Sequence, residues 1–230
     1  MKDEAIEQVI ASTAEWKYMK ELPDTLHDFQ LKRLETRNED IYNLYTYINE
    51  SSHRSVTAYF HAETKEYKVR FKIGSFEFCY EECISSSLEE FERLLRERFA
   101  GILQKITKFD SLQVDTLLKE THILDWDFST ILPEQLNGFD LFIRPSQPFC
   151  ITNGSYIVID YEHFASQSNF AIYYNIFRDE FFGDTRIAGI PDVNYEFDSH
   201  TLDELQSKLS THLIPRLQMI LSSAQGSSPV

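Results

Sequence analysis

Two acidic side chains, Asp160 and Glu162, stand two positions apart in the run Ile-Val-Ile-Asp-Tyr-Glu-His. Residues two apart on a strand share one face at a separation of about 7 Å, a distance that paired catalytic carboxylates use. The same alternation of acidic and apolar residues is typical of a strand with one solvated face, which is the commoner explanation. The pair is therefore a candidate for binding, and we assign no catalytic residue.

Metal and cofactor chemistry find little support in the sequence. Cys79 and Cys83 lie in a segment that is typical of a single strand, where four residues span about 13 Å, too far for two ligands of one zinc ion. The seven histidines include no pair at the spacing of a helical metal motif. We therefore predict no metal site and no cofactor.

The sequence also lacks the short motifs of common hydrolases. None of its seven glycines belongs to a G-x-G-x-x-G or G-x-x-x-x-G-K phosphate loop, and no G-x-S-x-G nucleophile elbow occurs. Nucleotide hydrolysis and serine hydrolase chemistry are thereby disfavoured. A catalytic triad assembled from distant residues stays open.

Acidic and aromatic residues are concentrated between Tyr156 and Asp198, where the sequence has eight acidic residues and two arginines. Acidic side chains steer a basic partner to a surface, and aromatic side chains anchor it once it has docked. We expect Phe181 and Phe182 to lie in an exposed turn, because two adjacent phenylalanines do not easily both point inward. The predicted partner-binding residues are Asp160, Glu162, Asp179, Glu180, Phe181, Phe182 and Asp184.

The net charge narrows the class of partner. It is −15, from 22 basic and 37 acidic residues. Nucleic acid and anionic membranes reward clustered lysine and arginine, so both are disfavoured. Divided after Val114, the first part carries 16 basic and 21 acidic residues and the second carries 6 and 16. The partner that fits the second part is a basic protein.

Two long segments recur in the chain, which indicates a duplication. Ser87–Ile106 is matched 114 positions later by Thr201–Ile220, and Trp16–Leu31 is matched 110 positions later by Trp126–Leu141. Each member of the first pair begins with a capping box and carries an apolar stripe, which predicts a long amphipathic helix. The repeated tryptophan is most simply a core anchor.

The runs between these segments are rich in Tyr, Phe, Val and Ile, which predicts antiparallel strands. We expect an α+β protein formed by tandem duplication. Each copy would have an antiparallel sheet of four to five strands, an N-terminal helix and a long C-terminal helix, with the copies related by a pseudo-twofold axis. The predicted boundaries are 1–110, 111–222 and a flexible tail, 223–230. Asn153-Gly154 is a predicted hairpin turn.

Three functional hypotheses follow. The first is a non-catalytic cytoplasmic protein, of the immunity, inhibitor or chaperone type, whose acidic second repeat binds a basic protein. Its cytoplasmic location is expected from the charged N-terminus and the sparse cysteines. The second is an enzyme or small-ligand receptor with a site in the cleft between the repeats. The third is a subunit that self-associates, so a homo-oligomer stays open.

Overall fold

The computed structural model describes residues 2–151 and 154–226, with the backbone alone for residues 225 and 226. The chain divides into two compact units, Met1–Lys108 and Phe109–Val230, two residues before the boundary that the sequence predicts. Each unit contains one antiparallel sheet and ends in a long helix. The α+β class is therefore confirmed, but the sheets have six and seven strands, so the predicted four to five is wrong.

The first unit runs through two helices, six strands and a long helix. Its helices are α1 Lys2–Thr13, α2 Lys17–Glu21 and α3 Leu88–Thr107. Its strands are β1 Thr25–Leu26, β2 Phe29–Asn38, β3 Ile41–Asn49, β4 Arg54–His61, β5 Glu66–Ile73 and β6 Phe76–Cys79. The strands lie in sequence order, so each pairs with its neighbour along the chain.

The second unit has one helix before its sheet, one strand more than the first unit, and again a long helix at its end. Its helices are α4 Thr116–Glu120 and α5 Leu202–Gly226. Its strands are β7 Gln135–Leu136, β8 Phe139–Ile143, β9 Phe149–Cys150, β10 Ser155–His163, β11 Ser168–Asn175, β12 Glu180–Ile187 and β13 Ile190–Val193. The order is β13-β12-β11-β10-β8-β7, with β9 paired to β10. Three strands of the two sheets have only two residues, too few for an alternation to show in the sequence.

Both long helices begin where the capping boxes predict. The Ser87 hydroxyl accepts a hydrogen bond from the Glu90 amide at 3.4 Å, and the Thr201 hydroxyl accepts one from the Glu204 amide at 3.2 Å. Helix α5 continues to Gly226, so residues 223–226 belong to the helix and not to the predicted tail. Residues 227–230 lie outside the described part of the chain, as does Asn153 of the predicted Asn153-Gly154 turn.

The apolar stripe of α5 covers one face of the second sheet and forms the core of that unit. Burying a leucine or isoleucine side chain contributes about 1.5–3 kcal/mol, so this stripe is a main source of the unit's stability. Its buried members are Leu205, Leu209, Leu213, Leu217 and Ile220, as predicted. Helix α3 buries Phe91, Leu95, Phe99, Ile102 and Ile106 of its own predicted stripe.

Strand β10 contains an irregularity that decides which side chains face α5. Its register with β11 shifts between Ile157 and Ile159. Val158 and Ile159 consequently both join the core, although adjacent residues of a regular strand point to opposite faces. From Ile159 onward the odd-numbered residues face the core, and Asp160 and Glu162 lie on the other face.

Among the described residues, no helix is both long enough and apolar enough to span a membrane.

One tyrosine in each unit ties the sheet to the Leu-Pro segment that precedes its first strand. The Tyr47 hydroxyl donates to the Pro23 carbonyl at 2.6 Å, and the Tyr161 hydroxyl donates to the Pro133 carbonyl at 2.7 Å. Tyr47→Phe and Tyr161→Phe each leave a carbonyl without its donor, so each is expected to lower the free energy of unfolding by about 1 kcal/mol. Urea denaturation followed by tryptophan fluorescence measures the change.

The matched control is Tyr195→Phe, because Tyr195 is 77% exposed. We expect this exposed substitution to change the free energy of unfolding by less than about 0.5 kcal/mol. A loss at Tyr47 or Tyr161 no larger than in this control would show that the hydroxyl contributes nothing there.

Candidate functional site

The structure separates the predicted partner-binding residues into a buried group and a more accessible group. Asp160, Glu162 and Phe181 have no exposed surface. Phe181 lies in β12, where it packs on Tyr174 with ring centroids 4.9 Å apart, so the predicted exposed turn is wrong. The alternation of a regular strand resolves the Phe-Phe pair by placing Phe181 in the core and Phe182 on the opposite face.

Asp160 and Glu162, which we call the buried acid pair, lie among polar residues of three strands. Glu162 is opposite Asn169 across the β10–β11 ladder, and Asn169 is opposite Arg186 across the β11–β12 ladder. The Asn169 amide nitrogen donates to Asp160 Oδ1 at 2.9 Å. Asp184 stands opposite Ala171, the residue that also pairs with Asp160. The sequence shows none of this convergence, because the residues come from three strands and are spread over 27 positions, 160–186.

Burial and the neighbouring Glu162 raise the pKa of Asp160 well above its usual range. The Asn169 amide and the Arg186 charge act in the opposite direction. Asp160 Oδ2 accepts no hydrogen bond from a described donor. Glu162 raises this pKa both through its charge and as a side-chain hydrogen-bond partner, so Asp160 favours its protonated form.

The buried acid pair has a raised carboxyl pKa and does not reach a partner. A carboxyl that contacts a substrate or a docking protein must have accessible surface, and both side chains have none in this conformation. Within residues 2–151 and 154–226, no group of three or more His, Cys, Asp or Glu side chains is placed to hold a metal ion. Cys83 lies in a 3-10 turn after β6, so Cys79 and Cys83 do not share one strand as predicted.

The four remaining predicted residues lie on β12 or in the turn before it. The Asp179 carboxylate accepts a hydrogen bond from the Tyr174 hydroxyl at 2.6 Å. Glu180 is half-buried and forms an ion pair with Arg178. The half-buried Phe182 ring stacks on Tyr173 at 5.0 Å between centroids. Asp184 is half-buried, and its burial raises its pKa.

Beside β12 lies a surface that the prediction missed. We call residues 190–196, which comprise β13 and the three residues after it, the β13 edge. Three large apolar side chains are exposed there: Ile190 at 70%, Val193 at 72% and Tyr195 at 77%. β13 is the terminal strand of its sheet among the described residues. The available signal was Ala188-Gly189, a short turn whose recognition would have placed a strand at Ile190.

Acidic side chains surround the β13 edge. Residues 180–198 contain five acids and one base, Arg186. Two of the acids already have partners on α5: Asp192 pairs with Arg216 at 2.7 Å, and Glu196 lies 3.0 Å from His212. The surface therefore combines apolar exposure with an excess of negative charge.

The terminal strand β6 of the first sheet, which begins 114 positions earlier, is different in both respects. Its Phe76 has no exposed surface and stacks on Phe78 with centroids 6.1 Å apart. A 3-10 turn with the buried Cys83 follows it. Residues 66–84 contain four acids and three bases, so this edge is nearly neutral. The exposed acidic edge is a property of the second unit.

The buried acid pair is expected to make stability depend on pH. Unfolded Asp160 ionises near its usual pKa of about 4, whereas folded Asp160 keeps its proton to higher pH. The folded state then binds more protons than the unfolded state, so this group destabilises the protein increasingly as pH rises above 4. Asp160→Asn removes this pH-dependent loss of stability. The free energy of unfolding of the variant, relative to that of wild type, should therefore rise between pH 4 and pH 7.

Urea denaturation at several pH values measures this difference, and each unit of pKa difference corresponds to about 1.4 kcal/mol. The control is Asp28→Asn, an exposed carboxyl in the first unit, which removes one negative charge and leaves the buried acid pair unchanged. A pH-independent effect of Asp160→Asn would mean that Asp160 titrates alike in the folded and unfolded states.

Comparison with protein-family models, with curated proteins and with solved structures finds no match to this chain. The function therefore has to be inferred from the geometry and charge of the buried acid pair and the β13 edge.

Proposed function

We propose that this is a non-catalytic binding protein whose second unit engages a basic protein partner through an acidic and aromatic surface. The observation that carries the proposal is the β13 edge, where Ile190, Val193 and Tyr195 are exposed among acidic side chains. Exposed apolar groups ringed by charge are typical of protein-binding surfaces. Phe182 and Asp184, on the adjacent β12, extend this surface from the predicted set.

The charge of the second unit supports a basic partner. Residues 109–230 contain 6 basic and 17 acidic side chains, whereas residues 1–108 contain 16 and 20. An excess of one sign speeds the encounter with a partner of the opposite sign and disfavours like-charged competitors. An immunity protein, an inhibitor of a basic protein or a chaperone for one fits this charge, and a cytoplasmic location fits the free cysteines.

The two units are, in this proposal, tandem copies of one ancestral unit. Strands β3 to β6 begin 114 positions before β10 to β13, each with an identical or nearly identical length. The register shift at Ile157–Ile159 has its counterpart at Asn43–Tyr45. The Tyr47–Pro23 and Tyr161–Pro133 hydrogen bonds also correspond. Duplication gives one copy freedom to keep a structural role while the other acquires a binding surface.

A second candidate function is a small-ligand or enzyme site at the buried acid pair. Asp160 Oδ2 and Asn169 Oδ1 accept no hydrogen bond from a described donor, although both residues are buried. Buried polar atoms without partners are uncommon, and a ligand that carries donor groups would satisfy them. Binding inside such a site depends little on salt, whereas a charge-steered complex weakens as salt increases.

The proposal is tested with a synthetic peptide, acetyl-Lys-Val-Lys-Ile-Lys-Val-Lys-amide, which we call the basic peptide. Its dissociation constant is measured by fluorescence anisotropy in about 50 and about 300 mM salt, which shortens the screening length more than twofold. The Glu196→Gln/Asp198→Asn double variant removes two carboxylates beside the β13 edge. We expect it to weaken binding about 3- to 10-fold, since each surface ion pair contributes about 0.2–1 kcal/mol.

The matched control is Glu81→Gln/Glu82→Gln, which makes the same change in net charge in the segment that follows β6. Its affinity for the basic peptide should stay within about twofold of wild type, because the removed carboxylates lie in the other unit. Equal losses in both double variants would assign the binding to net charge alone and would contradict a site on the second unit.

A further inference from the structure

The hairpin that leads into β13 determines where the backbone groups of the β13 edge point. Ala188 and Gly189 form a two-residue turn, and both have positive φ, at 50° and 79°. Positive φ at both positions is the type I′ turn, in which the flanking residues, here Ile187 and Ile190, form a hydrogen-bonded pair. Hydrogen-bonded and non-hydrogen-bonded pairs then alternate along the ladder.

The register fixes the consequence for each residue of β13. Asp192 is opposite Thr185 in a hydrogen-bonded pair. Pro191 is opposite Arg186, and Val193 is opposite Asp184; both are non-hydrogen-bonded pairs. The amide and carbonyl of Val193, and the carbonyl of Pro191, therefore point away from β12. A second contact supports this assignment. Phe181 exchanges both backbone hydrogen bonds with Ser199, so the backbone groups of the odd-numbered residues of β12 point away from β11, toward β13.

These outward backbone groups lie beside exposed side chains. Val193 is 72% exposed, and no strand described in the structure lies beyond β13. An open strand edge is the surface to which an extended segment adds as a further strand, with backbone hydrogen bonds for affinity and alternate side chains for specificity.

Charge indicates whether the added strand comes from a second copy of this chain or from a basic partner. Pairing of two β13 edges would bring the same acids together, because a twofold contact places identical surfaces against each other. Pro191 also lacks an amide, which removes one outward donor from each of two such edges. A basic segment meets the opposite situation: residues 180–198 contain five acids and Arg186, and an excess of two acids remains after the ion pairs that Arg178 and Arg216 make with Glu180 and Asp192.

We propose that the β13 edge binds an extended, basic segment of the partner by strand addition, through the Val193 backbone. The inference rests on the proposed function and specifies its mode of binding. The incoming strand brings an amide to the Pro191 carbonyl and exchanges hydrogen bonds with Val193. Its alternate side chains point to opposite faces of the sheet, so its apolar side chains pack on the face of Val193 and its basic side chains lie on the opposite face, near Asp192.

The first test uses wild-type protein and two N-methylated forms of the basic peptide. One form carries methyl groups on alternate amides, and the other carries them on the remaining amides, so charge and side chains are unchanged. Strand addition uses one edge of the peptide, so we expect at least one form to bind more than about 10-fold more weakly. Affinities within about threefold for both forms overturn strand addition.

The second test removes the outward amide of Val193. Val193→Pro should keep the β12–β13 hydrogen bonds, because the nitrogen of residue 193 does not face β12. Val193→Thr keeps the amide and the β-branched shape. We expect Val193→Pro to bind the basic peptide about 10-fold more weakly than Val193→Thr does. Equal affinity of the two variants, with unchanged melting temperatures, overturns the role of the Val193 backbone.

The outcomes separate the two proposals. If wild-type protein does not bind the basic peptide even in about 50 mM salt, where screening is weak, the proposed function itself fails. If it binds with the expected salt dependence and is insensitive to N-methylation and to Val193→Pro, the basic partner stands and strand addition fails. A backbone amide shift at Val193 in the NMR spectrum of the labelled full chain should accompany the expected result.

Discussion

The packing of one apolar helix stripe against one face of an antiparallel sheet is the interaction on which each unit depends. In the second unit, α5 contributes five buried leucine and isoleucine side chains to the core. The same helix also holds the end of the sheet, because Arg216 donates to the Thr185 hydroxyl at 3.2 Å and to Asp192 at 2.7 Å. β13 is thus fixed from the α5 side and by β12, and it needs no further strand to stay in place. That arrangement leaves a strand edge that is both ordered and open.

The register shift of β10 against β11 has the next largest effect. Without it, Asp160 and Glu162 would share the face of Tyr156 and Val158 and would enter the apolar core. With it, they lie on the opposite face beside Asn169, which donates to Asp160. Burial on that face still disfavours the charged form, which explains the raised pKa of Asp160. The pair is therefore better suited to holding a proton inside the fold than to contacting a partner.

Much of the fold could be predicted because its strongest signals are local. Capping boxes and apolar stripes located α3 and α5, and alternation located most of the long strands, but the first half of β12 was expected to be an exposed turn. Two of the two-residue strands, β1 and β7, were missed, since a pattern of period two needs more residues to appear. The burial of Asp160 and Phe181 was missed for another reason: exposure depends on which strands lie alongside, and pairing across the sheet is not written in the local sequence. The Ala188-Gly189 turn could have located β13, but only the strand order shows that β13 is terminal.

The contrast between the two terminal strands links the fold to the proposed function. β6 hides Phe76 and is followed by a 3-10 turn, whereas β13 exposes Ile190 and Val193 and is followed by the exposed Tyr195. An exposed apolar edge invites self-association, which natural proteins counter with charge and proline. Both countermeasures are present here, in Pro191 and in the acids around it. Negative charge, however, repels only acidic strands. The features that protect this edge from copies of itself therefore leave it selective for a basic segment, so protection and recognition have the same physical origin.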